Sequence, residues 1–373
     1  MVIFATSIMK ICAVFNIYPH YRQAVYQLMD SELGVDFLFG DSTCDGIALA
    51  DATKLKGFRG YLKNRYKGSK LVWQRGAIRK AFSKKYSKYI LTGNTGILSN
   101  WIILLIARAL GREVFLWTHS LYGNEKGLTK RKNLLYLKLA SGLLCYNERG
   151  ARIAVENGVK KEKVHTIYNS LDYKKEQEAL QKSGDQTFAR NYFGNELPYI
   201  TFLGRLTKVK QIDMLLNAAQ MSTNYNIIIV GEGSERQTLE KLSEELQLLD
   251  RVWFYGECYD QTMLATIIKH SAAVVSPGNA GLNAIHTLTF QTPLITHGNM
   301  DEQMPEVEAI EQLQSETNCK LLFVKDSVQS LAEVIENVII QPKEIFQKLA
   351  NKIVTTKWNA NNQINILKNI FGM

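Results

Sequence analysis

"PYITFLGRLTKVKQIDMLLNAAQMSTNYNIIIVGEG" spans residues 198–233 and holds, in order, an apolar run, a glycine turn, an amphipathic segment and a second apolar run that ends in Gly231 and Gly233. Ile212, Leu215 and Leu216 recur at helical spacing, whereas residues 227–230 are apolar at every position, as a strand is when helices cover both faces of its sheet. That is a βαβ unit, and it repeats: "RVWFYGE" (251–257), "AAVVSPG" (272–278) and "PLITHG" (293–298) read as further strands. Upstream, "KICAVFN" (10–16), "VDFLFG" (35–40), "KYILTG" (88–93), "EVFLWTH" (113–119), "GLLCY" (142–146) and "KVHTIYN" (163–169) alternate with amphipathic stretches in the same way. The expected architecture is α/β, with two doubly wound domains at 1–172 and 197–355. Residues 173–196 are polar, show no clear core period, and read as the interdomain connection. A helix within 356–373 is expected to pack back on the first domain.

The 373 residues suit two cores, and a composition 46% hydrophobic and 21% charged excludes a disordered chain. Cys12, Cys44, Cys145, Cys258 and Cys319 form no C-x-x-C pair, so neither a zinc site nor a disulfide framework is indicated, and a reducing cytoplasm fits. No basic segment followed by an apolar run and a cleavage site opens the chain, and translation starting at Met9 is the expectation. The most apolar segment, 101–110, is interrupted by Arg108 well before the roughly 18 residues of a membrane span.

The net charge of +10 is concentrated. Residues 51–88 carry thirteen Lys or Arg and one acid, Asp51, which leaves the rest of the chain slightly acidic. Phe58, Tyr61, Tyr66, Trp73 and Phe82 lie among these cations. A solvated helical face, an anionic membrane surface and nucleic acid are the three readings of such a stretch. With no nucleic-acid module elsewhere in the chain, the membrane surface is the expected partner and nucleic acid is not.

Ligands of doubly wound sheets bind beyond the carboxyl ends of the strands, where this sequence places Gly204, Gly231, Gly233, Gly256 and Gly278. Arg205, just past a strand, and Lys210, near the next helix, can grip a diphosphate as a fork and a point charge. In "VVSPGNAGLNAIHTLTFQTPLITH" (274–297), the small residues Gly278, Asn279, Ala280 and Gly281 let a phosphate approach the backbone ahead of a helix that begins near Gly281 and Leu282. No D-x-D and no His/Asp/Glu cluster of ligand spacing occurs, so neither a metal nor any other cofactor is expected, and the cations take over charge neutralisation.

In order and spacing, five segments resemble family-4-type retaining glycosyltransferases of the GT-B fold: "NSLD" (169–172), "GRLTKVK" (204–210), "VGEGSE" (230–235), "FYGE" (254–257) and "SPGNAGLNAIHTLTFQTPLI" (276–295). Within that class the chain looks like bacterial capsule or O-antigen sugar transferases. The resemblance implies a nucleotide-sugar donor bound by Gly204, Gly231, Gly233, Tyr255, Gly256, the 278–281 loop, Leu282 and His286. The implied catalytic residues are His119, Arg205 and Lys210, with His119 reaching the donor sugar. It also implies a lipid-linked or oligosaccharide acceptor, met on the first domain near His20, Tyr21 and Arg22. The chain departs from the family at two places: Gly278 and His286 stand where the family has two glutamates, the first meeting the donor sugar and the second the ribose. Asp301, Glu302 and Glu306 are the nearby acids that could replace them, and a glutamate at position 286 is expected to recover much of the ribose contact that an alanine there would lose. Asn147 and Glu148 read as a helix start. A nucleotide-sugar epimerase of the same fold and a non-catalytic partner subunit are the rival readings.

Overall fold

A computed structural model describes residues 10–44 and 46–373; the expected start at Met9 lies outside the described residues. The chain divides into two compact units. The first comprises the described residues up to Asp172 together with Ala360–Met373, and the second is Tyr173–Asn359.

The sheet of the first unit is built from β1 (Lys10–Phe15), β2 (Asp36–Gly40), β3 (Phe58–Lys67), β4 (Leu71–Arg75), β5 (Tyr86–Thr92), β6 (Glu113–Thr118), β7 (Gly142–Cys145) and β8 (Val164–Thr166). Its order is β4-β3-β2-β1-β5-β6-β7-β8, parallel throughout except between β3 and β4. The helices are α1 (Gln23–Leu33), α2 (Ile78–Ala81), α3 (Leu98–Ala109), α4 (Gly127–Leu139) and α5 (Glu148–Glu156). Strand alternation feeds two cores, because Ile11, Ala13 and Phe15 of β1 enter one cluster while Cys12 and Val14 enter the other. Gly34 ends α1 in the left-handed conformation at φ +59°, and Asn147 caps α5 by accepting from the Gly150 N–H at 2.9 Å.

The second unit contains β9 (Tyr199–Leu203), β10 (Asn226–Val230), β11 (Val252–Gly256), β12 (Val274–Ser276), β13 (Leu294–His297) and β14 (Leu322–Phe323), all parallel in the order β11-β10-β9-β12-β13-β14. Around it lie α6 (Tyr173–Gln181), α7 (Thr187–Phe193), α8 (Ile212–Gln220), α9 (Arg236–Glu245), α10 (Gln261–His270), α11 (Asn283–Thr289), α12 (Val307–Thr317), α13 (Val328–Ile339) and α14 (Lys343–Thr356). The chain then returns to the first unit as α15 (Ala360–Phe371), where Ile364, Leu367 and Phe371 are buried and the Phe371 ring meets Phe115 edge-on.

Two expectations are corrected. Residues 173–196 are not a bare connection: they form α6 and α7 inside the second unit, with Glu176, Ala179 and Leu180 buried. The basic stretch offers no helical face along 58–75, where β3 and β4 form an antiparallel ribbon. Its most buried inward residues are Leu62, Asn64 and Gln74, two of them polar, so the apolar period that would announce a strand is interrupted. Chain order reverses at β1/β5 in one sheet and at β9/β12 in the other, and in each sheet by itself such a reversal leaves room for a ligand beyond the carboxyl ends of the strands.

Candidate functional site

At the β9/β12 switch point the backbone carries the construction. Gly204 follows β9 at φ +143°, and its N–H donates to the Val230 carbonyl; Gly231 follows β10 at φ +139° and donates to Gly256. A Cβ on Gly231 would lie 2.0 Å from the Gly204 oxygen, and one on Gly233 would lie 2.3 Å from the Leu206 oxygen, so only glycine fits. Gly278, after β12, donates to the Lys210 carbonyl at 3.2 Å, and a Cβ there would sit 2.3 Å from the Val209 oxygen. The turn at Lys208–Lys210 is thus pressed directly on the small-residue loop.

Lys210 closes that contact. Its Nζ donates to both the carbonyl and the side-chain oxygen of Asn279, at 3.1 and 3.0 Å. Burial lowers the Lys210 pKa, and the nearby charge of exposed Arg205 lowers it further, so two cations share the mouth of this loop. The Ala280 N–H donates to the buried Gln303 side chain at 3.0 Å, which in turn donates to Thr296 and to the His297 carbonyl. Leu282 precedes α11, and Asn283 reaches back to the Leu203 carbonyl at 2.6 Å. Tyr255 stands beside Gly256 at the end of β11, its ring 5.1 Å from Trp253.

His286 does not stand alone on α11. Its Nδ1 lies 2.5 Å from Oε1 of Glu176, a buried carboxylate on α6, and its ring meets Phe290 edge-on. A carboxylate offers only acceptors, so Nδ1 carries a proton in this contact. The second oxygen of Glu176 is buried without a hydrogen-bond partner. Gln177 adds a bond to the Thr289 carbonyl, and the two contacts dock α6 on α11. Of the acids considered as replacements, Glu302 is held by Lys325 and Glu306 is buried.

The β1/β5 switch point of the first unit is built from side chains. A cavity of about 220 Å³ opens between Asn16 past β1, Thr92 at the end of β5, and Trp117, Thr118 and His119 at the end of β6. Arg22 forms part of its wall, only 6% exposed, with its guanidinium over the rings of Tyr146 at 4.8 Å and of Tyr21 and Trp117 at 5.9 Å each. His119 stacks on Tyr122 and packs on Tyr146, and its Nδ1 is buried without a partner. Burial first, and then the charge of Arg22, push the His119 pKa down to about 4, so the ring is neutral at physiological pH.

Tyr21, Arg22 and His119 therefore line one cavity. His20 does not: it is exposed, with Nδ1 3.2 Å from the Ala48 carbonyl. Reading the sequence missed Asn16, Thr92, Trp117 and Tyr146 in this wall, and Glu176 and Gln303 in the second unit. The position of each at or next to a strand end was the available signal for the first four. Among the described residues, no group of three or more His, Cys, Asp or Glu is placed to hold a metal ion.

Comparison with known proteins agrees with this architecture. Residues 184–355 match the family model of glycosyl transferases group 1. No curated protein matches the chain. Among solved structures, Anabaena HepE in complex with UDP superposes with a TM-score of 0.70 at 17% identity, covering 98% of this chain and 100% of that one. The lipopolysaccharide outer core galactosyltransferase WaaB gives 0.69 at 14% identity, covering 98% and 99%. Sucrose-phosphate synthase from Thermosynechococcus elongatus gives 0.65 at 16%, covering 97% and 99%. The fold is GT-B, two Rossmann-like α/β units, and the group 1 match over the second unit supports glycosyltransferase activity.

Proposed function

We propose that the protein transfers a sugar from a nucleoside-diphosphate sugar to a saccharide acceptor carried on a polyprenyl diphosphate, at the cytoplasmic face of a membrane, in the building of a surface polysaccharide. The observation that carries the donor half of this reading is the convergence of Arg205, Lys210 and the 278–281 loop at the β9/β12 switch point, while the lipid-linked acceptor and the polysaccharide rest on the family resemblance. A diphosphate leaving group gathers negative charge as its bond to the anomeric carbon breaks. Lys210, already fixed by Asn279 and partly desolvated, and the fork of Arg205 are suited to meet that charge without reorganisation. In this reading no metal and no other cofactor takes part, because the two cations supply the neutralisation. His119, a neutral imidazole, can accept from or donate to a sugar hydroxyl over the whole physiological pH range. Retention at the anomeric carbon is part of the proposal and rests on the family resemblance.

A mass-spectrometric screen of nucleoside-diphosphate sugars against lipid-linked acceptors tests the reading, with uridine donors first because HepE was solved with UDP. Folded Arg205→Ala and Lys210→Ala variants should transfer roughly 100- to 1,000-fold more slowly, and a chelator should leave the parental rate unchanged. Parental-like rates in both variants would remove these residues from the site. One further reading has its own support: the crowding of Gly278 against Val209 and the tethering of His286 to Glu176 leave no carboxylate at either position, as in a non-catalytic partner subunit. Nucleotide binding without transfer to any acceptor would favour it, whereas conversion of the donor sugar in the absence of acceptor would indicate an epimerase.

A further inference from the structure

The basic stretch separates into two populations of cations. Arg59 and Lys85 converge with Lys10 on the buried carboxylate of Asp36, at 2.7, 2.7 and 3.0 Å, and Lys88 pairs with Glu113. Burial would raise the Asp36 pKa, but hydrogen bonds from Lys85, Lys10, Tyr86 and Arg59 hold it at about 2. These cations are spent on holding the sheet. Lys63, Arg65, Lys67 and Arg75 are different: all four are exposed, and none takes part in an ion pair among the described residues.

Strand geometry gathers these four on one face. Alternation along β3 turns Tyr61, Lys63, Arg65 and Lys67 outward, and the register sets Lys63 opposite Arg75 and Arg65 opposite Trp73. Like charges directly across an antiparallel pair are destabilising, and here Lys63 and Arg75 face each other with Arg65 on the diagonal. Tyr61 and Trp73, 49% and 37% exposed, complete the face with rings that each carry one polar atom, the kind that settles at a lipid headgroup. The opposite face is pinned: Asn64 donates to the carbonyls of Asn16 and Ser42, and Gln74 donates to that of Phe15. Phe15 and Asn16 also line the cavity at the β1/β5 switch point, so the ribbon is a rigid platform beside that cavity.

We propose that the outer face of the β3–β4 ribbon docks on an anionic lipid bilayer. Bringing four unpaired cations to such a surface offsets the repulsion that the ribbon holds, and the neighbouring cavity is thereby set near whatever is tethered to the lipid. The inference needs neither nucleotide nor sugar, so its failure would leave the transfer reading standing.

Sedimentation of the full chain with phosphatidylcholine vesicles, with and without phosphatidylglycerol, tests it. Binding should require the anionic lipid and weaken as salt rises. Each cation at the surface multiplies the partition by about five, so Lys63→Gln with Arg75→Gln should cost roughly thirtyfold. Lys63→Glu separates docking from folding, because it creates an opposite-charge pair with Arg75: the melting temperature should hold or rise while vesicle binding is lost. Binding that ignores phosphatidylglycerol, or that survives Lys63→Glu, overturns the proposal. So does an outcome in which Lys63→Glu abolishes binding to an RNA or DNA oligomer and leaves vesicle binding intact, for the face would then be a nucleic-acid surface.

Discussion

The two switch points occupy the same topological position in their sheets and are built by opposite means. In the second unit, backbone approaches backbone: Gly231 against Gly204, Gly233 against Leu206 and Gly278 against Val209. In the first unit, side chains stand around a space, and Arg22 over three rings and an uncharged His119 define its chemistry. One site is therefore sensitive to a single added carbon, the other to charge. Position 278 has no room for a side chain by the same contrast, since the turn at Val209 and Lys210 occupies the space a Cβ there would need.

A carboxylate placed at position 278 should have the largest effect. Gly278→Glu places a Cβ 2.3 Å from the Val209 oxygen and 3.1 Å from the Lys210 Cα, both of them backbone atoms that cannot swing away. We expect the variant to lose at least about 3 kcal/mol of stability and to release Lys210 from Asn279. Chemical denaturation checks the first effect. An unchanged midpoint would mean that the turn yields easily and that crowding does not explain the glycine.

The sequence made the second unit more legible than the first for the same physical reason. Glycines that exist to admit backbone are visible as glycines, and wholly apolar runs such as 227–230 can hardly be anything but covered strands. The ribbon was hard to see because two of its buried inward residues, Asn64 and Gln74, bind carbonyls of β1 and its exit, which interrupts the apolar alternation that Leu62 begins. Glu176 was invisible for a related reason. A carboxylate in a lysine-rich stretch reads as solvated, and its partner His286 lies 110 residues away. The cavity wall was half legible: His119, Tyr21 and Arg22 stood out as chemistry-bearing types, whereas Asn16 and Thr92 gain meaning only once β1 and β5 lie side by side.

Charge is the lever on the first unit. The folded-state pKa of His119, about 4, is below its ordinary 6.5, so protonation favours the unfolded chain. The stability contributed by the neutral ring is complete above pH 6.5 and is lost as pH falls toward 4, by up to about 3 kcal/mol. His119→Asn should flatten the pH dependence of the unfolding free energy in that window, whatever it does to the baseline. Equal slopes in parent and variant would place the buried titration elsewhere.

The smallest effects belong to the pair that joins α6 to α11. His286→Ala leaves the Glu176 carboxylate buried with neither oxygen satisfied by the partner it now has, a cost of about 1–3 kcal/mol. His286→Glu, expected from the sequence to recover much of the ribose contact, is no remedy once Glu176 is in place: two carboxylates would meet in a poorly solvated contact, and one would have to hold a proton. The swap of Glu176→His with His286→Glu rebuilds the pair and sets a carboxylate at position 286. Its stability should lie within about 0.5 kcal/mol of the parent while each single variant falls short, the signature of a direct coupling. Calorimetric titration of the same variants with nucleoside diphosphates then separates two roles. If His286 Nε2 meets a ribose hydroxyl, His286→Ala weakens binding by about 0.5–1.5 kcal/mol, the worth of one net hydrogen bond, and the swap recovers most of it. Unchanged affinity across all of the folded variants would leave Glu176 and His286 as the bolt between two helices and nothing more.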